Sequence, residues 1–208
     1  MSRFTLRGLY AITDSTLMND DDTLLSHVEQ ALKGGASIVQ YRDKSADTER
    51  RQRQASALNQ LCQHYHIPLL INDDIELAQA CGAAGVHLGQ SDGSHAAARA
   101  RLGPDAIIGI TCHDSLELAE QAHADGADYI AFGAFFPSKT KPDAKPAPMT
   151  ILAQARSRFA LPIVAIGGIS VDNAGQIIDA GADMTAVVHA LFAADDITTR
   201  AQQFTNQF

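Results

Sequence analysis

Eight short apolar segments recur along the chain, and each is followed by polar residues or glycine. Most are rich in isoleucine, valine and leucine without strict alternation, which is typical of parallel strands that are buried on both faces. The segments are residues 9–13, 38–42, 69–72, 86–88, 107–110, 129–133, 163–166 and 185–188. The sequence therefore predicts eight parallel strands that are separated by connecting segments.

The connecting segments have the spacing of helices. Residues 47–64 are charged and contain neither glycine nor proline, which predicts one long helix with a wide solvated face. Ser170 precedes an apolar helical pattern and is predicted to be its N-cap. Asp114, with Glu117 three residues later, resembles the start of a capping box. Strands and helices are therefore expected to alternate.

Gly-Ala pairs mark a repeat along the chain, because they stand just before strands at Gly35, Gly82, Gly126 and Gly181. Glycine ends a helix in the left-handed conformation, and alanine lets the helix end pack close to the sheet. One strand and helix take roughly 24 residues, so eight such units fill residues 1–208 as one domain. We therefore predict an α/β protein that is a single (β/α)8 TIM barrel. A doubly wound open sheet is the alternative, although it usually needs fewer units.

Composition and charge exclude several classes of protein. The chain has 16 basic and 24 acidic residues, a net charge of −8, which does not suit binding to nucleic acid or to an anionic membrane. No apolar run approaches the roughly 18 residues of a membrane span, and the N-terminus lacks the apolar stretch of a signal peptide. Cys62, Cys81 and Cys112 are odd in number and form no CxxC pair, which predicts reduced thiols in a cytoplasmic protein.

A loop rich in hydrogen-bond donors follows the sixth predicted strand. Residues 135–142 read Phe-Phe-Pro-Ser-Lys-Thr-Lys-Pro and place Ser138, Lys139, Thr140 and Lys141 within four residues. Ligands of α/β proteins bind at the carboxyl ends of strands, so this loop suits an anion such as phosphate. A solvated loop without a ligand is the alternative.

A second cationic cluster follows the second predicted strand. Gln40, Arg42 and Lys44 are two residues apart, so as strand residues they point the same way. A guanidinium fork and an ammonium group that converge on one point suit a diphosphate. The alternative is an exposed strand end in which Arg42 pairs with a nearby aspartate.

Aspartates follow the third and fourth predicted strands, at Asp73 and Asp92. Mg²⁺ prefers one or two protein carboxylates together with water and phosphate oxygens, so this pair predicts a magnesium site. Alternatively, both residues are helix N-caps, although Asp74 is then a better cap than Asp73.

Further strand ends add donors to the same face. Thr111 offers a hydroxyl after the fifth strand, and His113 suits a capping or surface position. His87 suits either the barrel interior or a position beside the site. Gly168 follows the seventh strand and precedes a helix, where a glycine allows the backbone to approach a phosphate. Two separate anion sites fit an enzyme with two phosphorylated substrates better than an isomerase with one.

These segments together resemble the thiamine phosphate synthase family, in the right order over nearly the whole chain. The matching stretches are residues 9–14, 40–44, 71–73, 85–92, 137–141 and 166–169. The resemblance implies a transferase of thiamine biosynthesis that joins a pyrimidine methyl diphosphate to a thiazole ethyl phosphate. The products would be thiamine phosphate and diphosphate, and Mg²⁺ would be the cofactor. The resemblance is also compatible with a homo-oligomer.

The resemblance also implies roles for residues. The pyrimidine diphosphate would be held by Gln40, Tyr41, Arg42, Asp43, Lys44, Asn72, Thr111 and Lys141. The thiazole phosphate would be held by Ser138, Lys139, Thr140, Gly168, Val188 and His189. Asp73 and Asp92 would bind Mg²⁺, and Arg42, Lys44 and Lys141 would act catalytically by neutralising the departing diphosphate in a dissociative substitution.

Three positions depart from the pattern of the family. Thr111 stands where serine is usual, Ala134 where proline is common, and His189 where serine is usual. Two other interpretations share the fold. A thiazole tautomerase of the same barrel type has no need of a diphosphate site, and a phosphate sensor without catalysis has no need of two converging carboxylates.

Overall fold

The computed structural model describes residues 4–137 and 145–208, in which eight strands alternate with helices. The strands are β1 Gly8–Ile12, β2 Ile38–Tyr41, β3 Leu69–Asn72, β4 Gly85–Leu88, β5 Ile107–His113, β6 Tyr129–Gly133, β7 Ile163–Ile166 and β8 Met184–Val187. The helices are α1 Asp21–Lys33, α2 Thr48–His64, α3 Ile75–Cys81, α4 His95–Leu102, α5 Leu116–Ala124, α6 Thr150–Arg158, α7 Val171–Asp179, α8 His189–Phe192 and α9 Ile197–Thr205.

The strands form one closed parallel barrel in chain order, and β8 pairs with β1. Tyr10 lies beside Ile38 of β2 on one side and beside Ala186 of β8 on the other. The predicted (β/α)8 barrel is therefore confirmed, and the open sheet is wrong. Closure brings the carboxyl ends of all eight strands to one rim.

The strands separate two apolar layers, as their lack of alternation predicts. Leu9, Val39 and Ile71 pack outward against the helices. Tyr10, Ile38 and other inward residues fill the barrel interior. Phe4 and Leu6 pack against this interior cluster just before β1, at the end of the barrel opposite the carboxyl ends of the strands.

Short polar side chains begin most of the helices. Asp47 caps α2 by accepting a hydrogen bond from the Arg50 N–H, and Ser170 caps α7 in a capping box with Asn173. The prediction of Asp114 as the start of α5 is wrong by one residue, because the Ser115 hydroxyl accepts from the Leu118 N–H instead.

The extra C-terminal helix α9 packs against α1. A Cβ atom on Gly34 would lie 2.4 Å from Ala201 Cβ, so only glycine permits this approach. Thr205 Oγ1 also donates to the Gly34 carbonyl oxygen at 3.2 Å. Across the described parts of the chain, helices long and apolar enough to cross a bilayer are absent.

Candidate active site

A cavity of about 970 Å³ opens at the carboxyl ends of the strands, and every strand contributes to its lining. Apolar side chains such as Ile12, Val164 and Ile166 form part of its wall. Its polar lining includes Gln40, Arg42, Lys44, Asn72, Asp73, His87, Asp92, Thr111, His113, Asp114, Lys145, Ser170 and His189. Concave sites with an apolar lining and a few convergent polar groups are typical of small-molecule sites.

The two predicted metal ligands are neighbours in this cavity. Asp73 follows β3 in the left-handed conformation, at φ 63°, and its carboxylate forms an ion pair with Lys44. Asn72 Nδ2 donates to the same carboxylate oxygen, Oδ2, at 2.5 Å. Asp92 follows β4, and its Oδ2 accepts from the Gly89 N–H at 3.0 Å. Adjacent parallel strands thus bring two carboxylates together.

The charge state of Asp73 follows from its contacts. Burial alone would raise the pKa of Asp73, but hydrogen bonds from Lys44 and Asn72 outweigh burial and hold the pKa below its usual value. Asp73 is therefore a carboxylate at neutral pH, the form that binds a divalent cation.

The alternative role of these aspartates as helix caps is wrong. Asp74 is the N-cap of α3, where its side chain accepts from the Leu77 N–H, and Ser94 is the N-cap of α4. Asp73 and Asp92 therefore do not start helices.

Arg42 lies in the cavity wall with its backbone N–H donating to the buried Thr13 hydroxyl at 2.9 Å. No carboxylate in residues 4–137 or 145–208 forms an ion pair with Arg42, so the predicted alternative of an Arg42–Asp pair is not observed there. Its guanidinium is available to an anionic ligand.

Tyr41 and Asp43 do not line this cavity, and the expectation that they hold substrate stays a prediction. Tyr41 lies on the outward face of β2, and its hydroxyl donates to Gln54 Oε1 of α2 at 2.8 Å. Asp43 is buried beside α2, where its carboxylate pairs with Arg50 at 2.7 Å and accepts from the Ser45 N–H at 2.8 Å. Both side chains brace the connection from β2 to α2.

The opposite wall is built by the chain after β7 and β8. Gly168 has a φ of 62°, and a Cβ atom there would lie 2.3 Å from the Pro137 carbonyl oxygen. Val188 and His189 line the cavity after β8. Glycine is thus required by the backbone conformation and by the close packing of the two loops.

Ser138, Lys139, Thr140 and Lys141 lie outside the described residues. Their flanks, Pro137 and Lys145, both line the cavity. Lys145 Nζ donates to Asp114 Oδ2 at 2.7 Å, which links this connection to the end of β5. The ligand-binding roles of Ser138, Lys139, Thr140 and Lys141 therefore stay predictions.

Sequence reasoning missed two tyrosines. Tyr10 of β1 lines the cavity, and its hydroxyl contacts that of Tyr129 on β6 at 2.9 Å. His87, expected in the interior, lies between the Tyr129 and Thr111 hydroxyls. Tyrosine at inward strand positions was a usable signal, because a buried hydroxyl needs a hydrogen-bond partner.

The donor set fits Mg²⁺ better than a metal held by protein alone. The described residues contain no group of three or more His, Cys, Asp or Glu side chains that could hold a metal ion. They do contain the Asp73 and Asp92 carboxylates beside the cationic wall. Mg²⁺ commonly takes one or two carboxylates and completes its octahedron with water and substrate phosphate oxygens.

Comparison with known proteins agrees with this geometry. Residues 9–191 match the model of the family described as thiamine monophosphate synthase. A thiamine-phosphate synthase from Saccharophagus degradans is 55% identical over 194 residues, which are 93% of this chain and 89% of that protein.

Solved structures share the fold. The thiamine phosphate pyrophosphorylase from Pyrococcus furiosus is 33% identical, with a TM-score of 0.86 over 97% of this chain and 95% of that one. The GGGPS of Thermoplasma volcanium is 14% identical, with a TM-score of 0.72 over 97% and 92%, and shares the fold alone. The chain belongs to the thiamine monophosphate synthase family.

Proposed function

We propose that the rim cavity joins a pyrimidine methyl diphosphate to a thiazole ethyl phosphate, releasing thiamine phosphate and diphosphate. The observation that carries this proposal is the meeting of Arg42, Lys44, Asp73 and Asp92 in one cavity, opposite the loops after β7 and β8. A tautomerase acting on one phosphorylated thiazole has no use for the first set.

The diphosphate binds along the wall of β2, β3 and β5. Arg42 has no described ion-pair partner, and Lys44 supplies a second positive charge. Gln40, Asn72 and Thr111 line the same cavity as neutral hydrogen-bonding groups. Lys141, whose position is outside the described residues, adds a further cation from the connection after β6. These groups suit the negative charge that accumulates on a departing diphosphate.

Asp73 and Asp92 hold Mg²⁺ at the edge of this wall. When bound, the ion neutralises the oxygens of the leaving group as a Lewis acid. Lys44, which pairs with Asp73 and is exposed, supplies a positive charge on the same wall.

The thiazole phosphate binds at the opposite wall. Gly168, Val188 and His189 line it, and Ser138, Lys139 and Thr140 are proposed to complete it. The shared cavity of about 970 Å³ is of the size that small-molecule sites have.

The chemistry needs alignment more than acid or base catalysis. The bond between the methylene carbon and the diphosphate oxygen breaks, and its electron pair leaves with the diphosphate. The aminopyrimidine stabilises the resulting cation, and the lone pair of the thiazole nitrogen forms the new C–N bond. No proton has to move in either step, so the enzyme contributes charge neutralisation and the positioning of two rings.

A coupled assay tests this function. Purified protein with both substrates and Mg²⁺ is expected to form thiamine phosphate and diphosphate in equal amounts. Omission of either substrate, or removal of Mg²⁺ by a chelator, should stop the formation of thiamine phosphate. Absence of thiamine phosphate from the complete mixture would refute the proposed function. Isomerisation of the thiazole substrate alone would instead support a tautomerase.

We further propose that the protein works in the cytoplasm. Cys62, Cys81 and Cys112 are all free, and Cys62 and Cys112 are buried. Burial raises the pKa of both buried thiols to about 12, so they remain protonated and unreactive. Unpaired cysteines are usual in a reducing compartment.

A further inference from the structure

We propose that Tyr10, Tyr129 and His87 form a hydrogen-bond relay through the barrel that fixes which atoms Gln40 and Thr111 offer to the substrates. This inference deepens the proposed function and rests on it, because it treats Gln40 and Thr111 as substrate-binding residues. The three relay members are positioning residues.

The relay is continuous across five strands. Gln40 Nε2 of β2 donates to the Tyr10 hydroxyl of β1 at 2.6 Å, and that hydroxyl lies 2.9 Å from the Tyr129 hydroxyl of β6. The Tyr129 hydroxyl lies 2.8 Å from His87 Nδ1 of β4. His87 Nε2 in turn lies 2.8 Å from Thr111 Oγ1 of β5. Both ends of the relay, Gln40 and Thr111, line the cavity.

Packing holds the relay in place. The Tyr10 and Tyr129 rings meet edge to face, with centroids 6.0 Å apart, and His87 stacks on Tyr129 at 5.6 Å. Tyr129 fits only because residue 109 is glycine: a Cβ atom there would lie 1.8 Å from the carbon that bears the Tyr129 hydroxyl. The interior is thus shaped around a tyrosine at this position.

The hydroxyls have a function beyond filling space. Phenylalanine would fill almost the same volume, and burying a hydroxyl is unfavourable unless it is hydrogen-bonded. Tyr10 and Tyr129 are about 1% exposed or less. Burial raises the pKa of both hydroxyls above the usual value, so both keep their protons and can donate.

The amide nitrogen of Gln40 sets the direction of the relay, because it can only donate. Among the described residues, the Tyr10 hydroxyl hydrogen-bonds to the Gln40 amide and to Tyr129, so its proton points to Tyr129. Tyr129 then donates to His87 Nδ1, which must carry no proton. The ring proton of His87 is therefore on Nε2, which donates to Thr111 Oγ1.

The direction of the hydrogen bonds in the relay decides which atoms of Gln40 and Thr111 can donate to a ligand and which can accept. Gln40 keeps its carbonyl oxygen as an acceptor for a ligand, and Thr111 keeps its own proton as a donor. A ring with an exocyclic amino group near Gln40 and a phosphate oxygen near Thr111 matches this pattern. Turning the Gln40 amide over would reverse each bond and force Thr111 to donate to His87. The two side chains therefore change polarity together.

The first arm of the test reads the relay without any enzyme assay. In protein with ¹⁵N-labelled histidine, the His87 signals are assigned by their loss in His87→Gln. The relay predicts Nε2 protonated and Nδ1 unprotonated. Tyr129→Phe removes the donor to Nδ1 and should give a mixture of tautomers, whereas the control Tyr65→Phe, whose hydroxyl bonds Glu29 outside the barrel, should not. Protonated Nδ1 in the unmodified protein, or an unchanged signal in Tyr129→Phe, overturns the proposal.

The second arm reads coupling through kinetics. Tyr10→Phe and Tyr129→Phe should each lower kcat/KM for the pyrimidine diphosphate by roughly tenfold, the effect of one lost hydrogen bond. Because either change breaks one relay, the double variant should lose no more than a single one. Losses that multiply in the double variant, or equal losses for the thiazole phosphate, overturn the proposal.

A third pair of variants covers the outer end of the relay. Thr111→Val removes the terminal hydroxyl at almost constant volume and should give the same loss, while Thr111→Ser, which keeps a hydroxyl, should lose less than Thr111→Val. Failure of the synthase function itself would appear as absent thiamine phosphate in unmodified protein, and the histidine spectrum would still report on the relay.

Discussion

The carboxylates of Asp73 and Asp92 lie side by side, and neither residue serves as a helix N-cap. Two like charges that close together are unfavourable unless a cation offsets them. Lys44 provides one positive charge through its ion pair with Asp73. A bound divalent cation would provide the rest of the balance.

We expect Asp92→Asn to lower turnover by more than roughly 100-fold, because it removes a proposed direct ligand of Mg²⁺. The amide oxygen can still accept from the Gly89 N–H, so the fold should survive. Steady-state rates at saturating Mg²⁺, together with a circular dichroism spectrum, measure both effects.

Asp74→Asn is the matched control for this variant. Asp74 is outside the cavity lining and caps α3, a role that asparagine fills equally well. Its turnover should stay within a few-fold of the unmodified protein. Comparable rates in the two variants would assign Asp92 a structural role only.

The connection from β2 to α2 shows how one short segment serves both function and stability. Strand periodicity directs Gln40 and Arg42 to the cavity and Tyr41 to the helix layer. The side chain of Asp43 also faces the helix layer, where it pairs with Arg50 in the first turn of α2. Its side chain is 1% exposed, so this pair stabilises the element that carries Arg42 and Lys44.

We expect Asp43→Asn to lower the free energy of unfolding by about 2 kcal/mol at neutral pH, since it removes a charge-assisted hydrogen bond. Burial alone would raise the pKa of Asp43, but hydrogen bonds from Ser45 and Arg50 hold it below its usual value. The folded carboxyl has the lower pKa, so its stabilisation is present above the unfolded pKa and is lost as the pH falls through the folded pKa.

Urea unfolding at neutral pH and at about pH 3 tests this prediction. The difference between the unmodified protein and Asp43→Asn should narrow at the lower pH. Asp47→Asn, in the same connection, retains a good N-cap and should differ little from the unmodified protein at either pH. A constant gap for Asp43→Asn would mean that the charge of Asp43 does not stabilise the fold.

Sequence reasoning located elements well and side-chain partners less well. Strand bounds agree within one residue except at the end of β5, which continues to His113, because apolar runs report burial directly. A contiguous motif assigns residues 40–44 to one substrate, whereas strand alternation turns Gln40 and Tyr41 to opposite faces of β2. The Tyr10–Tyr129 contact joins residues 119 apart on strands that meet only inside the closed barrel, which no local pattern indicates.

At the scale of the whole molecule, barrel closure creates the site. Gln40, Asp73, Asp92 and Thr111 come from different strands and meet because parallel strands end at one rim. The net charge of −8 opposes anionic substrates at long range. Local cations such as Arg42 and Lys44 therefore have to offset this long-range repulsion wherever an anionic ligand binds.

The central claim is that Asp73 and Asp92 hold the ion that assists departure of the diphosphate bound by Arg42. Its most direct test is a crystal structure with diphosphate and Mn²⁺ in place of Mg²⁺, in which anomalous scattering locates the metal. The account predicts one metal peak in contact with both carboxylates, with the diphosphate between that ion and the Arg42 guanidinium. A metal bound away from Asp73 and Asp92, or a diphosphate that leaves Arg42 uncontacted, would contradict it.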